Sequence, residues 1–231
     1  MVHWGSRKVV ALDHSALFGD GGKFSRLRLT LGPLVGVIAL MAVILVLSSI
    51  LLRGFSENGF RLGSQLAWRY ASIVFFAALV AGPVSRIAAR FSHFQVSESL
   101  SRRLVWGFCA SYGVYLLSVF LPNVIQPSAG ATLMVLFGAA VAAVMALAVA
   151  PLKRLGGTPI ISDKVRRVLL GMSVIYFWLC YCLMALARIS GPHRPDAFYG
   201  ISLSLMVLGL LLRYADRWFA RRDQTPDAVT L

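Results

Sequence analysis

The stretch "SRRLVWGFCASYGVYLLSVFLPNV", residues 101–124, decides the fold. Two arginines open it, and from Leu104 to Leu121 no charged residue follows. The hydrocarbon core of a bilayer is about 30 Å thick and a helix rises about 1.5 Å per residue, so a span takes about 20 largely apolar residues. Irregular backbone cannot face lipid, because its amides and carbonyls would go unbonded. The run is therefore predicted as a membrane helix, entered through Arg102 and Arg103. It lacks the apolar/polar alternation of a barrel strand.

Five more runs meet the same test. With this one third in order, they are Leu31–Leu52, Leu66–Ser85, Leu104–Leu121, Ala131–Ala150, Val165–Ala187 and the shorter Phe198–Leu212. Composition agrees. The 231 residues are 58% hydrophobic and 14% charged, against about 45–50% and about 25% in soluble domains, and mean hydropathy is +0.75. The expected fold class is an all-α integral membrane protein, a six-transmembrane-helix bundle. Residues 1–30 read as a basic N-terminal tail, 31–214 as the six-helix domain and 215–231 as a C-terminal tail. The tail "MVHWGSRKVVALDHSALFGDGGKFSRLRLT" lacks the apolar stretch of a cleavable signal peptide.

The net charge of +14 would suit nucleic acid, but its distribution has another explanation. Arg7, Lys8, Lys23, Arg26 and Arg28 lie in the N-terminal tail. Arg86, Arg90, Arg102 and Arg103 lie between spans two and three. Lys153, Arg154, Lys164, Arg166 and Arg167 lie between spans four and five, and Arg213, Arg217, Arg221 and Arg222 follow span six. These are 18 of the 23 basic residues. Alternate connections carry the charge, as the positive-inside rule requires. Both termini are therefore expected in the cytoplasm, with Arg102, Arg103, Arg166 and Arg167 setting the topology. The expected partners are membrane lipids, anionic ones in particular, and other membrane-protein subunits, not nucleic acid. A bacterial cytoplasmic (inner) membrane is the expected location.

Two spans carry patterns of their own. In the fourth, Gly138, Ala142, Ala146 and Ala150 recur every four residues, a stripe that lets a neighbouring backbone approach. Packing within the bundle is its expected use. In the fifth, Tyr176, Phe177, Trp178 and Tyr181 gather toward one half, where aromatics serve as interface anchors, as core, or as a surface for a ligand or partner.

Ionisable side chains within spans are the usual mark of transport or proton transfer, and this chain has almost none. Arg69 is the only charge well inside a span, expected about one turn from its outer end, where it can snorkel to the headgroups. His3, His14, His93 and His193 all fall in tails or connections. Cys109, Cys180 and Cys182 sit inside apolar runs, without zinc-type spacing; they read as small buried hydrophobes. Catalytic residues and a metal site are not expected.

Several segments, in order, resemble the ferric-reductase-like transmembrane domain family, nearest to the bacterial haem-binding membrane subunit of the methionine sulfoxide reductase system. "ALVAGPVSRIA" resembles the family's Pro-x-x-Arg exit from a span, through Pro83 and Arg86. "SRRLVWGFCASYGVYLL" resembles its Arg-Arg entry and aromatic-rich third span. "PLKRLGG" with "DKVRRVLLGMSVIYFW" resembles the basic connection and next helix, and "ISGPHRPDAFYGISLSLMVLGLLLRYADR" the closing hairpin. The resemblance covers about residues 63–217. It implies histidine haem ligands on the third and fifth spans, near Tyr115–Leu116, Val168–Leu169 and Tyr181–Cys182. None of these positions is histidine.

The resemblance and the missing ligands together imply a haem-free copy of that bundle, with no cofactor, acting as a non-catalytic accessory or scaffold subunit of a larger membrane complex. The tail residues Trp4 and Phe18 could then dock on a cytoplasmic partner surface. The alternative is an electron-transfer subunit that holds haem b or quinone through Cys109, Tyr115, Tyr181 or Cys182. Tyrosine and cysteine do ligate iron elsewhere. Electrons would then come from a partner or from quinol. A lesser alternative is a carrier of hydrophobic small molecules.

Overall fold

Two of the turns between helices have a cause in the sequence. Gly54, at φ +75°, turns the chain out of the first helix, a left-handed conformation that costs glycine nothing. The next turn is tight. Ser56 N donates to the Gly54 carbonyl at 2.8 Å and Gly59 N to Ser56 Oγ at 3.3 Å. A side chain on Gly59 would collide with the Gly54 carbonyl oxygen. At the turn between the third and fourth helices, buried Asn123 works in both directions. Its Oδ1 accepts from Ser128 N and its Nδ2 donates to Thr132 Oγ1, both at 2.8 Å.

The computed structural model describes residues 21–91, 98–125, 127–150, 161–191 and 196–222. Among them are six helices and no strand: α1 Gly21–Arg53, α2 Glu57–Phe91, α3 Glu98–Ile125, α4 Ala129–Val149, α5 Asp163–Ile189 and α6 Ala197–Arg222. All six contain a stretch long and apolar enough to cross a membrane. His3, His14, His93, His193, Trp4 and Phe18 lie outside the described residues, as does "PLKRLGG". The chain divides at Pro33 into one unit, Met1–Pro33, described as helix from Gly21, and a second, Leu34–Leu231.

Within the second unit, neighbouring helices follow the order α2, α3, α4, α5, α6 and back to α2. Five helices thus close a ring. The part of α1 that belongs to this unit lies outside the ring, against α2 and α3. Its buried residues Ile38, Ala42, Val46 and Ile50 recur every four positions, one face of a helix. Ile38 meets α3 at Gly107 and Val46 meets α2 at Gly63, while Leu40, Leu47 and Leu51 stay exposed.

The first two residues of the small-residue stripe of α4, Gly138 and Ala142, pack against α3. A Cβ on Gly138 would stand 2.7 Å from Tyr112 Oη and 3.4 Å from Leu116 Cδ2. Buried Ala142 accepts the Cys109 thiol at its carbonyl, 3.7 Å away. Ala146 is half-buried, and Ala150 caps the helix, its N–H donating to the Ala146 carbonyl at 2.9 Å. Arg166 satisfies another of the free carbonyls at this helix end: its Nε donates to the Ala148 carbonyl at 2.9 Å. Arg167 reaches the Asp163 carbonyl at 3.3 Å.

α2 departs from expectation. It begins at Glu57 rather than near Leu66, because the polar segment before the apolar run continues the helix. Arg69 is therefore more than three turns inside the helix α2, while it keeps its place about one turn from the end of the apolar run that begins at Leu66.

Candidate functional site

The centre of the ring is built from aromatic side chains. α2 supplies Trp68 and Phe75, seven residues apart. α3 supplies Phe108, Tyr112 and Tyr115, at steps of four and three, and α5 supplies Phe177 and Tyr181, four apart. Each set lies on one helix face. The rings meet across the bundle. Trp68 is 5.1 Å from Tyr115 and 4.4 Å from Tyr181, centroid to centroid. Phe75 lies 5.0 Å from Phe108 and 5.4 Å from Tyr181. Phe177 packs edge-on against Phe108 at 4.8 Å and Tyr112 at 4.9 Å. These separations are those of interlocked aromatic pairs. Phe75, Phe108 and Phe177 have no exposed surface.

The aromatic run of α5 thus divides by face. Phe177 and Tyr181 are core. Tyr176 packs on Phe137 of α4 at 5.3 Å. Trp178 turns to α6, where its indole N–H donates to the Met206 carbonyl at 2.9 Å.

The positions where the resembled family would carry haem ligands do not open on a shared space. Tyr115 and Tyr181 are buried, each packed against Trp68. Leu116 turns to Gly138 on α4. Cys182 is buried, Leu169 half-buried and Val168 exposed. The Cys109 thiol is spent on a helix carbonyl. Between Tyr115 and Tyr181 the space is occupied by packed rings, Trp68 and Phe75 among them. One polar atom in the cluster is left over: Tyr181 Oη is buried and has no hydrogen-bond partner among the described residues.

Two ion pairs join α2 to α6 or to the residue just before it. Arg69 pairs with Asp196, and its guanidinium carbon lies 5.0 Å from the Phe198 ring and 5.3 Å from the Tyr199 ring. Arg86 grips Asp216 with two nitrogens, Nε at 3.0 Å and Nη2 at 2.7 Å. The pairs are 17 residues apart on α2 and 20 from Asp196, just before α6, to Asp216 within it. At about 1.5 Å per residue that is roughly 26–30 Å, the thickness of a hydrocarbon core. They frame the apolar slab. The amide of Phe198, donating at 3.0 Å, and the Arg69 guanidinium hold the Asp196 carboxyl below the usual carboxylate range, with desolvation opposing them.

At the Arg69 end the ring opens into a cavity of about 440 Å³. Trp68 and Tyr115, the last rings of the central cluster, line its inner part. Tyr199 of α6 and Gln65 of α2 line its sides, and Arg61 of α2 and Arg188 of α5 its rim. Sequence reading missed this site. Arg61 and Arg188 stand 127 positions apart, in segments that look like ordinary loop charge. The signal that could have found them is their identity as the exceptions to an otherwise consistent basic bias.

No protein-family model, curated protein or solved structure matches the chain. The likeness to the ferric-reductase-like family therefore rests on the residues quoted above.

Proposed function

We propose that the protein is a multi-pass membrane protein of a bacterial cytoplasmic membrane, with both termini cytoplasmic, and a haem-free relative of the ferric-reductase-like bundle. It serves as a non-catalytic accessory or scaffold subunit of a larger membrane complex. One observation carries this reading. The centre of the ring, where the resembled family holds its cofactor, is filled by seven mutually packed aromatic side chains. A core of that kind supports rigidity rather than electron transfer. In this orientation the Arg86 end of the bundle, with Arg102, Arg103, Arg166 and Arg167, faces the cytoplasm, and the Arg69 end faces outward. The motif that resembles the family's Pro-x-x-Arg exit contributes Arg86, which ties α2 to α6 through Asp216.

The test is the absorption spectrum of natively purified material, with its co-purifying subunits identified. The expected result is no Soret band, no extractable quinone and a partner in stoichiometric amount. Stoichiometric haem or quinone would give the electron-transfer reading the case. A clean monomer that moves a labelled hydrophobic solute into vesicles would favour a carrier.

A further inference from the structure

The cavity at the Arg69 end has no part in a scaffold's work, and its chemistry is specific. Two arginines line it, Arg61 and Arg188, and a third, Arg69, lies outside the lining, against the ring of the lining residue Tyr199. Among the described residues the carboxylate paired nearby is Asp196, and Arg69 takes it. Glu57 lies one turn before Arg61 on α2, yet no ion pair joins them, and neither Arg61 nor Arg188 has a carboxylate partner among the described residues. A cleft lined by one sign of charge over a low-dielectric wall concentrates counter-ions. Trp68 lies seven residues further along α2 than Arg61, about 10 Å deeper. So the rim is cationic, the inner wall is aromatic, and about 10 Å separates them. A volume of about 440 Å³ falls in the range of small-molecule sites, which pair apolar walls with a few convergent polar groups.

We infer that this cavity is a binding site for an amphiphilic anion. Arg61 and Arg188 hold its carboxylate or phosphate group at the rim, and its apolar body, about 10 Å long, rests on Trp68 and Tyr115. Arginine suits the first task because its planar fork matches an oxyanion and stays charged. Tyr199 and Gln65 bound the space between. The same chemistry is offered by two sources, a soluble ring-bearing carboxylate or the headgroup of an anionic lipid. The inference does not depend on the scaffold reading, since it concerns a different part of the ring.

The experiment uses the full chain in phosphatidylcholine nanodiscs, with thermal unfolding as readout. One arm titrates 1-naphthoate; the other replaces part of the phosphatidylcholine with phosphatidylglycerol. The expected result is a higher unfolding midpoint in at least one arm, and none with neutral 1-naphthol. A rise with naphthoate alone assigns the aqueous source; a rise with phosphatidylglycerol alone assigns lipid. Arg61→Gln and Arg188→Gln should each weaken the response about tenfold, and the double variant should abolish it. Both side chains are exposed and free of ion pairs among the described residues, so the variants should match the wild type in helicity and elution. The inference is overturned if neither probe moves the midpoint, if 1-naphthol acts as naphthoate does, or if the double variant responds like the wild type. The 1-naphthol comparison needs no variant to fold.

Discussion

Trp68 and Tyr115 belong to two regions at once. On one side they close an aromatic core from which water is excluded. On the other they line a cavity with a cationic rim. The difference lies in the third partner. Toward the middle of the ring, Phe177 and Tyr181 of α5 fill the space between α2 and α3. One turn beyond Tyr181 α5 offers Met184 and a second turn on Arg188, both lining the cavity, and the space stays open. A shift of one helical turn on one helix separates a packed centre from an accessible mouth. Substitutions in the two regions should therefore differ in kind. The centre should answer in stability, the rim arginines in binding alone.

The largest effect is expected at Phe177, which contacts Phe75, Phe108, Tyr112 and Tyr176. Phe177→Ala leaves a void among side chains that cannot close on it. Buried Phe→Ala costs about 3–5 kcal/mol in soluble cores. Lipid is as apolar as the core, so most of the transfer contribution drops out and the packing contribution remains. About 3 kcal/mol is expected, read by thermal or denaturant unfolding in detergent. Arg188→Gln should leave the same midpoint unchanged. If Phe177→Ala were as mild as Arg188→Gln, the centre would not be a packed core.

The next effect belongs to the ion pair at the far end of the α2–α6 seam. Asp216 is 12% exposed and Arg86 63% exposed. Asp216→Asn removes the more buried partner while Arg86 keeps its access to water. The cost should fall between that of exposed and buried pairs, about 1–2 kcal/mol. The same unfolding measurement checks it, with Arg86→Gln as the reciprocal variant.

The spans were legible in the sequence because lipid imposes a length and a composition on each. All six expected runs lie within, or nearly within, described helices. The small-residue stripe was legible too, since a repeat of four marks one face, and Gly138 and Ala142 do meet α3. Three things were not legible. The start of α2 at Glu57 was hidden by the polar "ENGFRLGSQ", whose helicity depends on the Gly54–Gly59 turn rather than on hydropathy. The partner of Arg69 was hidden by the 127 residues between it and Asp196; Arg69 pairs across the bundle where snorkelling was expected. The convergence of Arg61 and Arg188 was hidden for the same reason, because distance along a chain says nothing about closure of a ring. The aromatic centre stood between these cases. The spacings 68/75, 108/112/115 and 177/181 are visible in the sequence, but which helices face one another is decided only by the order of the ring.

Tyr181 sharpens the comparison because it is a polar residue on the sealed side. Its hydroxyl is buried without a partner among the described residues, and an unsatisfied buried group is destabilising. Tyr181→Phe keeps the ring that stacks on Trp68 and Phe75 and removes only the oxygen. The expected outcome is a gain of about 1 kcal/mol in unfolding free energy. A loss instead would mean that the hydroxyl has a partner in the native membrane, and would move Tyr181 from the core to the cavity.

The smallest effect is expected at the mouth, from Asp196. Its folded carboxyl is held below the usual carboxylate range by the Phe198 amide and by Arg69. A group whose folded pKa lies below its unfolded value contributes stability above the unfolded pKa and loses it as pH falls through the folded one. The pair should therefore help equally at pH 7 and pH 5, and fade below about pH 4, where free aspartate begins to take up protons. Arg69 is 29% exposed and Asp196 45% exposed, so the contribution should stay under about 1 kcal/mol and shrink in high salt. Unfolding midpoints measured from pH 7 to pH 3 would show it as a difference between wild type and Asp196→Asn that narrows toward acid. A difference that persists at pH 3 would mean that the Asn side chain fails to keep the hydrogen bond from Phe198. That would place the work of Asp196 in capping α6 rather than in holding Arg69 against α6 beside the open cavity.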